Sequence, residues 1–174
     1  MAVALIRPAT VPETFRISGL NTDKVAPANA AVDIPTGAFV KLNNGLLEET
    51  ATAGNKIAAT ALVYGLTNEP FKASLAPSGS VPIRQTDVST TIALPGVVFE
   101  VNYFGDGSGG NGSKLTAGLL GSSVAIKRQT SGVYVAVPWA AGDADFKVVG
   151  LVDPVGTVFG RILVVPVPAN RLYA

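Results

Sequence analysis

The sequence predicts an all-β protein: a single β-barrel, β-tulip-like or sandwich domain with an extended N-terminal arm. Three observations lead there. From Gly37 onward, short apolar runs alternate with turns rich in glycine, asparagine and proline, the texture of short strands joined by tight connections. No stretch sustains a helical period. The opening stretch is broken by Pro8, Pro12, Pro27 and Pro35, each of which interrupts any regular element. The chain therefore divides into an arm over residues 1–36 and a β body over residues 37–174.

The arm carries isolated apolar and basic anchors: Leu5, Ile6, Arg7, Val11, Phe15, Arg16 and Ile17. Fully extended, a segment of this length reaches on the order of 100 Å. Two readings stay open. The arm gains order by lying on another molecule, or it wraps its own domain as an edge strand.

In the body, Gly37 to Leu42 leads into Asn43-Asn44-Gly45. Asparagine and glycine tolerate positive φ, so this is a hairpin signal, with Leu46 to Glu49 as the return strand. Glu48 to Ala61 admits a short helix, although Gly54-Asn55 interrupts it. Ala58 to Leu66 is a second apolar run. In Val81 to Arg84, Pro82 implies an edge position. Val97 to Tyr103 alternates with period two: Val97, Phe99, Val101 and Tyr103 face one way, Val98, Glu100 and Asn102 the other. Gly105 to Ser113 is a glycine-rich loop. Val124–Lys127, Val133–Val137 and Lys147–Val152 read as further strands. Arg161 to Val167 is apolar on both faces and predicts deep burial, and Asp153-Pro154-Val155-Gly156 before it is turn chemistry. A glycine opens a strand at positions 37, 96, 132 and 160, the habit of an up-and-down β protein and not a solenoid repeat.

Composition removes much chemistry. The 174 residues include no cysteine and no histidine. Disulfide frameworks, thiol nucleophiles, histidine-based hydrolytic triads and His- or Cys-ligated metal sites are excluded within one chain. Charged residues are only 14% against 48% apolar, well below the usual charged share of about 25%. A surface so poor in charge is weakly protected against association, so extensive coverage by protein partners is expected. A transmembrane helix is not, because no apolar run is long enough. Met1 to Pro12 is too short and too interrupted for a secretory signal. A net charge of +1 argues against a dedicated nucleic-acid binder.

The remaining motifs fail on context. Gly107 to Gly112 matches G-x-G-x-x-G, but a phosphate site needs a helix next, and Ser113 to Gly118 reads as another turn. Asp106 alone supplies too few oxygens for calcium. Asp143 and Asp145 resemble an acid–base pair, yet a spacing of two in a turn fixes no useful separation, and a solvated turn is the better reading. Glu48 and Glu49 read as a charged strand end or the start of a helix. Trp139, after Pro138, reads as a packing anchor at a subunit boundary.

Gly37-Ala38-Phe39-Val40-Lys41-Leu42, then Val63 to Thr67, and the ending Val148 to Gly156 followed by Gly160 to Val164, resemble the small β domains of tailed-phage head decoration (capsid cement) proteins. The resemblance covers roughly residues 37 to 167. It implies a β-barrel or β-tulip domain, often a homotrimer, whose terminal arm grips the major capsid protein. The expectation is a non-enzymatic structural protein on the outer capsid surface of the virion, assembled in the host cytoplasm. No cofactor, nucleic acid or membrane is expected to take part. The alternative is a phage tail, fibre or receptor-binding β module. A carboxylate hydrolase using Asp143 and Asp145 is the enzymatic alternative and the weakest.

Overall fold

The computed structural model describes residues 8–10, 22–28, 32–72, 87–105 and 110–173. Within them the chain is nearly all β. Ten strands form two sheets. The first is antiparallel and five-stranded. In chain order its strands are β1 (Thr22–Val25), β2 (Phe39–Asn43), β3 (Leu46–Glu49), β4 (Gly65–Thr67) and β5 (Val88–Ile92), arranged β1-β5-β4-β2-β3. The second closes into a five-stranded barrel. Its members are β6 (Phe99–Tyr103), β7 (Ser123–Arg128), β8 (Tyr134–Pro138), β9 (Phe146–Leu151) and β10 (Arg161–Pro166), in the order β10-β6-β8-β7-β9. Every barrel pairing is antiparallel except β6 with β8. Among the described residues, no helix is long and apolar enough to cross a membrane.

The expected hairpin forms as read. Asn43 pairs with Leu46 across a two-residue turn, with φ of 51° at Asn44 and 80° at Gly45, the signature of a type I′ turn. Strand β4 needs its glycine for a different reason. A Cβ on Gly65 would sit 2.2 Å from the Thr91 carbonyl oxygen, so only glycine lets β4 approach β5 this closely.

Phe39 joins the two sheets. Its ring meets Phe99 of β6 at 5.2 Å, Tyr134 of β8 at 5.6 Å and Phe146 of β9 at 5.6 Å, each edge-on. This is the preferred geometry for aromatic quadrupoles. A residue of the open sheet thus sits among three barrel strands, and the main buried cluster draws on both sheets without a break.

Several sequence readings change. No helix forms over Glu48 to Ala61. Gly54 turns at φ 82°, and the segment lies along β7 instead: Gly54 N–H donates to Arg128 O, and Ile57 N–H to Ile126 O. Of the run Ala58 to Leu66, only the end becomes strand; Ala58 and Val63 make single bridges. Strand β10 is not buried on both faces. Ile162 and Val164 point inward, while Leu163 and Val165 are only partly covered, because a closed barrel has one interior. In β6 the alternation holds, yet outward-facing Asn102 is buried, since its Nδ2 donates to Phe159 O at 2.6 Å.

Of residues 1–36, the described pieces lie against the body. Thr10 bridges Glu100 of β6, β1 pairs with β5, Pro27 bridges Leu47 in parallel, and Ile34 bridges Phe71. The anchors Leu5, Ile6, Arg7, Val11, Phe15, Arg16 and Ile17 lie outside the described residues, as do Val81 to Arg84 and Asp106 to Gly109.

Candidate functional site

Alternation in β3 places Leu47 and Glu49 on one face. Leu47 is buried, so Glu49 is carried inward with it. Its Oε1 accepts from Arg128 Nε at 3.0 Å and from the Tyr134 hydroxyl at 3.2 Å. Burial pushes the Glu49 carboxyl above its ordinary range, against the opposing pull of Arg128. Burial, and then the neighbouring carboxylate, push the Tyr134 hydroxyl well above its own. Glu49 and Arg128 form the polar end of a cleft of about 330 Å³ whose other walls include Val32, Ile34, Leu47 and Ala51. A cleft of this kind suits an apolar side chain, with a charged pair at one end to orient it.

This pair sets a pH dependence. A carboxyl whose folded pKa lies above its unfolded value binds its proton more tightly in the folded state. The stability it contributes is full below the ordinary value of 4.5 and is lost as pH rises through the raised folded value. Glu49→Gln keeps an acceptor for Arg128 and Tyr134 but never ionises. It is expected to be at least as stable as the parent at neutral pH and to flatten this part of the profile. Urea unfolding from about pH 4 to about pH 8 checks it; a variant less stable than the parent at neutral pH refutes the account.

A second ionic group lies outside the barrel. Arg161 donates through Nε and Nη2 to the two Asp153 oxygens at 3.1 and 2.8 Å, and through Nη1 to Glu100 at 3.0 Å. Asp153 Oδ2 also accepts the Arg161 backbone N–H. These contacts fasten the turn before β10 to β6.

The two aspartates singled out from sequence are engaged separately. Asp143 Oδ2 pairs with Lys56 Nζ at 2.7 Å and accepts the Ala140 N–H at 3.0 Å. Asp145 lies 3.8 Å from Lys147, and its Oδ1 is buried without a hydrogen-bond partner among the described residues. The loop that holds Asp143 also fixes Trp139, whose Nε1–H donates to the Asp143 carbonyl at 3.1 Å while the indole stays 43% exposed. The glycine-rich loop itself ends in a single 3-10 turn, Gly110–Ser113, and Lys114 then bridges Val158. A second cleft, of about 550 Å³, is lined by Lys56, Phe104, Lys127, Gln129 and Val137. Among the described residues no cluster of three or more acidic side chains is placed to hold a metal ion.

The outer side of the barrel around β9 presents apolar groups to solvent. The β9–β10 register slips between Leu163 and Val164, and the bulge leaves Val149 unmatched and outward. The Gly121 N–H donates to Val148 O, and Leu120 just before it is exposed. Val152 and Val155, also exposed, follow β9 in the chain.

Sequence reading missed the inward turn of Glu49 and the whole Glu49–Arg128–Tyr134 group. The period-two relation of Glu49 to Leu47 carried the signal for Glu49. The β7–β8 hairpin sets Arg128 opposite Tyr134, but nothing local links them to residue 49, which reaches them only when β3 of the open sheet packs against that hairpin. Compared with protein-family models, curated proteins and solved structures, the chain matches none.

Proposed function

We propose that this protein is a structural virion component that binds the outside of the major capsid shell and stabilises it by bridging capsid subunits, as a homotrimer. The observation that carries the reading is the exposure of apolar side chains on β9 and on the segments that flank it: Leu120, Val149, Val152 and Val155. Exposed apolar residues scattered singly are ordinary. Here four fall on β9 or on the segments that flank it in the fold, and a closed barrel has no strand edge of its own to offer by hydrogen bonding. Contact through the barrel then runs through side-chain faces, and apolar surface is what such faces use. The low charge of the chain supports the same reading. So does the exposed indole of Trp139, of the residue type most enriched among binding hot spots.

Electron microscopy of particles made with and without this chain tests it. Added density on the outer shell, lost together with the chain, is the expected result. Density confined to a tail or fibre favours the alternative and overturns the capsid assignment. Val149→Asp adds a finer test. Val149 is exposed, so folding stability is expected to change by only about 0.5 kcal/mol or less. Binding to shells is expected to weaken by about tenfold or more, since the new charge loses its hydration in an apolar contact. Unchanged binding by this variant removes β9 from the interface.

A further inference from the structure

We infer that Asn44 is a self-modifying site, at which the folded protein converts an asparagine to an aspartyl or isoaspartyl residue without an enzyme. The reaction needs the Gly45 amide nitrogen to reach Cγ of Asn44 and close a five-membered imide. Closure requires the backbone of the asparagine at φ near +60° and ψ near −120°, the first central position of a type II′ turn, the mirror image of type II. Asn44 already stands at φ 51°. Rotation of the single peptide unit between Asn44 and Gly45 converts the present type I′ turn into type II′, and both are favoured two-residue hairpin turns.

Three features leave that rotation free. The Gly45 N–H donates no hydrogen bond among the described residues, so turning it breaks none. Gly45 has open space about its Cα, with no atom within 4 Å of a hypothetical Cβ, and glycine accepts the change in φ without strain. Asn44 is exposed, so water reaches the imide.

The step balances without an oxidant. The Gly45 nitrogen loses its proton and bonds to Cγ, and the Cγ–Nδ2 bond breaks, releasing ammonia. Water then opens the imide. Attack at Cγ gives the aspartyl product. Attack at the backbone carbonyl carbon gives the isoaspartyl product, with one extra methylene in the main chain. The second product lengthens a two-residue loop and undoes the pairing of Asn43 with Leu46. Either product adds a negative charge at the hairpin tip.

The test ages the full folded chain, and the same chain in denaturant, at mildly alkaline pH. Peptide mapping by mass spectrometry, with enzymatic methylation to detect isoaspartate, reads each asparagine separately. Asn111, which is also followed by glycine, falls on a different peptide. The expected result is that folding protects Asn44 by less than about tenfold, equivalent to about 1.4 kcal/mol for the rotation. Protection greater than tenfold overturns the inference, because the turn then holds the peptide unit fixed. Asn44→Gln, which cannot close the five-membered ring, is expected to abolish the signal from this peptide; its persistence would place the reaction elsewhere.

Discussion

Replacing Phe39 by alanine is expected to cost about 3–5 kcal/mol of folding stability, the range for truncating a buried aromatic ring. The ring is fully buried and touches Phe99, Tyr134 and Phe146 edge-on. Its removal therefore forfeits three directed contacts, each worth about 0.5–1.5 kcal/mol beyond simple burial, and leaves a void that three separate strands cannot jointly collapse. For a chain of this length the melting temperature is expected to fall by roughly 6–20 °C. The manner of unfolding is as informative as the amount. Because the main core is continuous across the open sheet and the barrel, far-ultraviolet circular dichroism and the fluorescence of Trp139, the single tryptophan, are expected to change together in urea. A loss below about 1 kcal/mol, or two separated transitions, would show that the sheet and the barrel are independent units and that Phe39 is not their junction.

The same residue shows what the sequence could and could not disclose. Phe39 stands in an apolar run ahead of an Asn-Asn-Gly turn, and both the strand and the hairpin were legible because turn chemistry is local. The alternation of β6 was legible for the same reason. Barrel closure was not. The parallel pairing of β6 with β8 and the return of β9 to both β7 and β10 depend on long-range register, which carries no local signature. Two misreadings follow from that. The last strand looked buried on both faces because Leu163 and Val165 are apolar, yet they line the outside of a barrel. The segment after β3 admitted a helix because its propensities allow one, but its backbone groups are taken up by β7. For the site, residue types excluded histidine and cysteine chemistry at once. The inward Glu49 was readable in principle from its spacing to Leu47. Its partners Arg128 and Tyr134 were not, since each becomes a neighbour only when β3 packs across the end of the β7–β8 hairpin.

Substituting Asn170 is expected to be nearly as damaging as substituting Phe39, although no large apolar surface is lost. Asn170 is buried at the end of the 3-10 turn Pro168–Asn170. Its Nδ2 donates to the Ala59 carbonyl at 2.8 Å, and its Oδ1 accepts the Asp145 N–H at 2.9 Å. Its own carbonyl accepts the Val63 N–H at 2.9 Å. One side chain therefore supplies partners to two backbone groups in two different loops. Asn170→Ala strips both, at about 1–3 kcal/mol for each group left unsatisfied, so a loss of about 2–6 kcal/mol is expected. Asn170→Asp separates the two roles. It keeps an acceptor for Asp145 N–H, but it turns an oxygen toward the Ala59 carbonyl and places a charge in a buried site. It is expected to be no better than the alanine variant. Amide hydrogen exchange locates the effect. In both variants, protection is expected to fall first at Val63 and Leu172, whose N–H groups donate to Asn170 O and Val63 O, and the ring contact of Tyr173 with Tyr64 is expected to loosen with them. Retained protection at Val63 and Leu172, together with a stability loss under about 1 kcal/mol, would mean that water replaces the amide and that Asn170 fills space without fastening the C-terminal turn to the body.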